Sequence, residues 1–334
     1  MGNPVKNNLI LISGSGRSGT NILKRVISSN SRVTYVTPYF DPHFIISPCG
    51  VIDFYNSFSS TWSPFYSHYK IGHFEKFLLK LSKRSFFEIL ISRILRCFDK
   101  DGTTISIARY CDWELSKHYP NFEHHVNEMM KELKTYEYSG SWTGTESYSI
   151  KNKMQLTEYK ERKVLAGISG KFISNCVSSL LERAEKDFFI DSDTHNFLFA
   201  KEFSELIPTI KLIHIIRDPR DVIASYMNMK NGYPSELIHS IFYYKSVMQR
   251  WFSIKPNFPS ENLLEVKLEN LVNDTNCVVN KACDFIGIAL ENKMLEVDLS
   301  KSHSGRWKEE FTDDEKAILN DALYDILNHL EYCL

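Results

Sequence analysis

The chain has 334 residues, 43% of them apolar and 24% charged, with a formal net charge of −1. That length is ample for a large α/β domain with a real core, and the composition is that of an ordinary globular protein. A net charge this close to zero speaks against nucleic acid or an anionic membrane as partner, so any phosphate site must be a local feature. Seven cysteines fall at Cys49, Cys97, Cys111, Cys176, Cys277, Cys283 and Cys333, an odd number with no C-x-x-C pair. This pattern fits buried thiols in a reducing compartment better than a disulfide scaffold or a zinc site.

In chain order, the polar segment Met1–Asn8 leads directly into the apolar run Leu9–Ile12. It has the pattern of neither a signal peptide nor an anchor. Five short apolar runs read as buried parallel strands: Leu9–Ser13, Val33–Val36, Phe188–Asp191, Leu212–Ile216 and Leu263–Val266. Helical patterns follow at Thr20–Ser29, Asn196–Glu205, Pro219–Met229 and Val272–Ile286. The alternation predicts a single α/β domain over 1–334, with a doubly wound parallel sheet of about five strands. Residues 44–186 interrupt it with aromatics (Phe54, Tyr55, Phe58, Trp62, Phe65, Tyr66, Tyr69) and amphipathic patterns at Phe74–Leu81 and Phe86–Phe98. This segment reads as a helical, aromatic-rich insertion over the carboxyl ends of the strands, where open α/β sheets bind ligands. Most of its aromatics are also what a plain core would use. The run Phe86–Phe98 is broken by Glu88, Arg93 and Arg96, too short and too charged for a membrane span. A soluble, cytoplasmic protein is expected. Asn273-Asp274-Thr275 has the form of a glycosylation sequon, read as chance.

The first strand runs into Gly14-Ser15-Gly16-Arg17-Ser18-Gly19-Thr20-Asn21 and then a helix with Ile22, Leu23, Val26 and Ile27 on one face. Strand, glycine-rich turn and helix N-terminus form an anion cradle, because backbone N–H groups and the helix dipole face the ligand. Gly14-x4-Gly19 mimics a Walker A loop, but Thr20 and Asn21 stand where lysine and a magnesium-binding hydroxyl belong. The cation lies inside the loop instead, at Arg17. A tight turn without a ligand is the plainer reading of such a loop alone. The fourth strand ends in Arg217-Asp218-Pro219-Arg220-Asp221, with Ser225 two turns along the next helix. Asp218 suits the N-cap, Pro219 the first helical position, and Asp221 the dipole. Arg217 and Ser225 can then converge on one anion.

Together, Gly16-Arg17-Ser18-Gly19-Thr20-Asn21 and Arg217-Asp218-Pro219-Arg220-Asp221-x3-Ser225 resemble the two nucleotide signatures of the sulfotransferases that use 3′-phosphoadenosine 5′-phosphosulfate (PAPS). Val266-Lys267-Leu268-Glu269-Asn270-Leu271-Val272 and Ser304-Gly305-Arg306-Trp307-Lys308 resemble two further family segments. The resemblance covers both ends of the chain and omits 44–186. It implies a five-stranded parallel sheet with a P-loop-like phosphate site. Arg17, Ser18, Gly19, Thr20 and Asn21 would hold the 5′-phosphosulfate, and Arg217 and Ser225 the 3′-phosphate. Gly305, Arg306 and Trp307 belong to the segment that closes over the nucleotide. The implied reaction is sulfuryl transfer to a hydroxyl or amine of a small-molecule acceptor, releasing PAP, with no metal. The histidine pairs His68/His73 and His124/His125 form no H-E-x-x-H pattern and fit that expectation.

Arg17 is the best-placed cation for the chemistry, which parallels phosphoryl transfer in relying on positioning and charge. The acceptor needs a base. Tyr39-Phe40-Asp41-Pro42-His43 follows the second strand. Asp41 resembles the family's catalytic glutamate before proline, one methylene shorter, or it simply makes an Asp-Pro turn. His43 is a rival. Asp191-Ser192-Asp193-Thr194-His195 departs from the family's Lys-Thr-Pro, which removes a cation and adds Asp193 and His195 as further candidate bases, or leaves Asp193 or Thr194 as a cap for the next helix. Two other functions remain open: a PAP- or PAPS-binding pseudoenzyme, and a kinase with a degenerate P-loop.

Overall fold

The computed structural model of the protein describes residues 8–36, 42–83, 114–140, 153–229, 232–302 and 304–333, together with positions 87, 90, 91 and 94. The elements that matter here follow in chain order. Strand β1 (Leu9–Ser13), helix α1 (Thr20–Ser28) and strand β2 (Val33–Tyr35) come first. Helices α2 (Val51–Ser60), α3 (Pro64–Ser82) and α4 (Phe122–Leu133), strands β3 (Tyr136–Ser139) and β4 (Lys153–Leu156), and helix α5 (Arg162–Ala184) follow. Then come β5 (Phe188–Asp191), β6 (Lys211–Ile216), α6 (Pro219–Met227), α7 (Leu237–Ile254), β7 (Leu263–Lys267), α8 (Leu268–Asn273) and α9 (Thr275–Ile286).

Contacts divide the chain into two compact units. The first contains 8–35, 186–204 and 208–334 and is built on a five-stranded sheet of order β2-β5-β1-β6-β7. Every pairing in that sheet is parallel. The expected doubly wound α/β architecture is therefore present. On one face Ile10, Ile12, Ile213 and Ile215 pack with Leu23, Val26 and Ile27 of α1 and with Val279, Ala282 and Ile286 of α9. His214 is out of phase with its isoleucine neighbours and points to the other face. There its ring stacks on Phe197 and meets Trp251 of α7, with centroids 4.9 Å away in both cases. Strand order reverses between β1 and β6, so the loops leaving their carboxyl ends diverge and open a crevice, the usual binding place in such sheets.

Local chemistry explains where elements differ from the sequence expectations. The segment after β5 begins as a 3-10 turn, Asn196–Phe199, before an α-helix over Ala200–Leu206. The Phe197 N–H is drawn instead to the Ser13 hydroxyl, 3.1 Å away. The single helix expected over Val272–Ile286 is two helices, α8 and α9. Asp274 interrupts them by capping α9, its carboxylate accepting from the Cys277 N–H at 3.1 Å.

The second unit contains 36–185 and 205–207. It is mostly helical but not wholly so: β3 and β4 pair antiparallel, a hairpin that fits the alternating aromatics Tyr136 and Tyr138. Its aromatics largely form its core. The Phe44 ring meets Tyr119, Phe122 and Phe172 edge-on at 5.6, 5.3 and 5.9 Å, and Phe54 stacks on Phe74 at 4.3 Å. Trp62, Phe65 and Tyr69 stay partly exposed. Helix α5 is long and apolar enough by composition to cross a membrane, yet 56% of its most apolar window is buried inside the protein. Most of Phe86–Phe98 lies outside the described residues.

Candidate functional site

The site is assembled from two strand ends. At the end of β1, the Ser13 hydroxyl donates to the carbonyls of Asp193 and Thr194 at 3.0 and 2.8 Å. The Gly14 N–H donates to the Thr194 carbonyl at 3.3 Å. These bonds fasten the loop after β5 to the start of the glycine-rich turn. The turn then passes through three positive-φ positions, with φ of 80° at Gly16, 55° at Arg17 and 104° at Gly19. Left-handed backbone at a non-glycine residue such as Arg17 is uncommon and costs energy, and it clusters at binding sites. Gly19 is the N-cap of α1, and a Cβ there would lie 2.8 Å from the Leu268 side chain. Only glycine fits that conformation and approach. The first turn of α1 carries no acidic residue, so nothing competes with an anion for its N–H groups.

At the end of β6, Asp218 caps α6 by accepting from the Arg220 N–H at 2.9 Å, with Pro219 in the first turn. This is the cap expected from sequence. Arg217 reaches across to the first loop, donating from Nη1 to the Arg17 carbonyl at 3.1 Å. Arg17 in turn donates from Nε to the Ser225 hydroxyl at 3.0 Å. Two loops 200 residues apart in sequence are thus joined by hydrogen bonds at one crevice. Asp221 faces Arg217 at 3.8 Å and accepts N–H bonds from Gly305 at 2.7 Å and Trp307 at 3.0 Å. It fixes the Ser304–Trp307 segment beside the loop. Glu269 accepts from the Asp218 N–H at 3.0 Å and from the Tyr332 hydroxyl at 2.9 Å, tying α8 to the same corner.

These elements enclose a cleft of about 440 Å³, within the range of small-molecule sites. Its lining includes Arg17, Arg25, Arg217 and Arg306, and among the described residues no carboxylate. Burial lowers the Arg217 pKa, with Arg306 and Arg17 adding to the effect and Asp221 opposing it. The Asp221 carboxyl is pushed up by its own burial, against the N–H bonds and Arg217 that hold it down. A crevice holding four guanidiniums, each obligately cationic, favours a ligand with more than one anionic group. The buried Ser18 hydroxyl has no hydrogen-bond partner among the described residues, a further donor beneath the loop.

Of the residues singled out from sequence, Arg17, Gly19, Thr20, Asn21, Arg217, Ser225 and Arg306 line the cleft. Gly305 and Trp307 do not. They sit at a neighbouring hollow, where the Trp307 ring lies 3.9 Å under the Arg220 guanidinium. His195 is not in the lining: its Nε2 is 3.2 Å from the Tyr243 hydroxyl. Asp193 uses a carboxylate oxygen to accept from the His195 N–H at 3.0 Å, a local turn; the N-cap of the following 3-10 turn is His195, without a side-chain cap. His43 belongs to the other unit, where its carbonyl accepts from the Ser47 N–H at 2.8 Å. Asp41 lies outside the described residues. Sequence reasoning missed Arg25, Tyr233 and Ser302, which also line the cleft. Arg25 sits eight residues after Arg17 in a helix that reads as simply amphipathic, and Tyr233 lies in a loop without a motif.

No curated protein matches the chain significantly. Among solved structures, the sulfotransferase domain of the olefin synthase of Synechococcus PCC 7002 is 14% identical, over 98% of this chain and 94% of that one, with a TM-score of 0.45. The sulfotransferase domain from the curacin biosynthetic pathway is 12% identical over 98% of both chains, with a TM-score of 0.47. A retinol dehydratase solved with androsterone and the inactive cofactor PAP is 11% identical, over 97% of this chain and 82% of that one, with a TM-score of 0.41. The model of the sulfotransferase family matches residues 90–292, more than half of the chain. The chain belongs to the sulfotransferase family.

Proposed function

We propose that the protein transfers a sulfuryl group from PAPS to a hydroxyl or amine of a small-molecule acceptor and releases PAP. The observation that carries this reading is the arginine-lined cleft, without a carboxylate among the described residues, in which the loop of Arg17 and the pair Arg217/Ser225 meet. A nucleotide phosphorylated at both ends of its ribose needs two anion sites at once, and this cleft offers them. The glycine-rich turn, Thr20 and Asn21 would hold the 5′ group through N–H donors at the N-terminus of α1. Arg217 and Ser225 would hold the 3′-phosphate, with Arg306 beside them. PAPS supplies the activated sulfuryl group. Arg17 offers a fixed positive charge where charge develops on the leaving oxygen.

The base in this reading is Asp41, with His43 as rival. The contact of His195 with Tyr243 makes it the weaker choice. Acceptor selection is assigned to the aromatic-rich residues 44–186, and a cytoplasmic setting suits a soluble donor. The test is an assay with sulfur-labelled PAPS across a panel of alcohols, phenols and amines. Label should move to an acceptor, and should do so equally well in excess EDTA, because arginines stand where a kinase would use magnesium. Binding of PAP without any transfer would make the protein a nucleotide-binding pseudoenzyme. Magnesium-dependent turnover of ATP would make it a kinase.

A further inference from the structure

We infer that the Tyr233 hydroxyl is a hydrogen-bond donor to the anionic group bound over the glycine-rich turn, and that it acts with Arg17 on the 5′ end of the nucleotide. The inference rests on the donor reading above. Tyr233 lines the same cleft as Arg17 and Thr20. Its hydroxyl overhangs the turn so closely that a Cβ built on Gly16 would lie 2.4 Å from it. Its ring is fixed on two sides: it stacks on Tyr226 at 4.4 Å with planes 8° apart, and meets Tyr243 edge-on at 5.8 Å. Tyr226 is itself buried and donates from its hydroxyl to the Ser15 carbonyl, inside the turn. The phenol is thus referenced to the loop whose ligand it faces.

The Tyr233 phenol is half-buried and lines the cleft. Burial raises its pKa, Tyr243 and Asp193 add to the effect, and Arg17 only partly opposes it. The phenol therefore keeps its proton at neutral pH and acts as a donor. A rigid, protonated phenol aimed into an arginine-lined cleft is preorganised for a phosphate or sulfuryl oxygen. This also assigns a second reason for glycine at position 16, beyond its φ of 80°: any side chain there would displace the donor.

Tyr233→Phe keeps both ring contacts and removes only the hydroxyl. Affinity should be measured by calorimetry with PAP and with adenosine 3′-phosphate, alongside the melting temperature. The variant should bind PAP about 10- to 100-fold more weakly than the wild type, the range for a hydrogen bond to a charged group. Its affinity for adenosine 3′-phosphate and its melting temperature should not change. Unchanged PAP affinity would overturn the inference, and an equal loss with both ligands would make Tyr233 a structural support of the cleft. If the wild type fails to bind PAP, the donor reading falls first and the role of Tyr233 with it.

Discussion

Asp221 shows how one carboxylate can organise the wall of the arginine-lined cleft. From sequence it reads as a favourable charge near the start of a helix. In the structure it is 1% exposed, accepts the N–H groups of Gly305 and Trp307, and faces Arg217. The motif segments around Arg217 and Arg306, nearly ninety residues apart, are held together through this one side chain. Asp221→Ala should therefore destabilise the protein by about 3 kcal/mol, as removing one partner of a buried pair does. It should also weaken PAP binding at least about tenfold, because the Arg306 segment loses its anchor. Thermal denaturation and PAP titration of the variant check this. A melting temperature and affinity both equal to wild type would show that Ser304–Trp307 is held by something else. Residue-level legibility was uneven for a physical reason. Arg217, Asp218 and Pro219 obey local rules of strand ends and helix caps, so their places follow from spacing. Tyr233 and Arg25 reach the cleft through packing of distant segments, which spacing does not encode.

Strand β6 carries the one buried imidazole of the sheet unit among its described residues that sits between two aromatic rings. His214 is 1% exposed, and its Nδ1 lies 3.2 Å from Glu265 of β7. Burial holds its pKa below the ordinary 6.5, with the Glu265 carboxylate pulling the other way. Burial would raise the Glu265 carboxyl, but hydrogen bonds from His214 and Lys255 outweigh it and hold it at about 2. The unfolded chain takes up a proton on His214 near pH 6.5 that the folded state resists. The stability contributed by the neutral ring is complete above that pH and is lost as pH falls below it. Glu265 adds its own loss only further down, as pH falls from the ordinary carboxylate range toward about 2. The melting temperature should fall between pH 7 and pH 5, and His214→Leu should flatten that slope. A wild-type melting temperature constant over this range would show that the ring is protonated in the fold. Strands of this kind were readable because buried parallel strands are short and apolar. The β3–β4 hairpin and the break at Asp274 were not, because a helical period and a capping residue compete locally and packing decides between them.

For the molecule as a whole, the parallel sheet and the order of its motifs followed from the alternation of apolar runs and turns. The reversal of strand order between β1 and β6 did not, since it depends on which edge each new strand joins. That reversal is what brings Arg17 and Arg217 to one crevice, so that residues of two separate motifs line a single cleft. The central claim is that this cleft holds both ends of a 3′,5′-bisphosphorylated adenosine. Calorimetric titration with PAP and with adenosine 5′-phosphosulfate, both without magnesium, tests it most directly. Losing the charge-assisted bonds from Arg217 and Ser225 should make adenosine 5′-phosphosulfate bind about 100-fold more weakly than PAP. Equal affinity for the two, or tighter binding of magnesium-ATP than of PAP, would contradict the account.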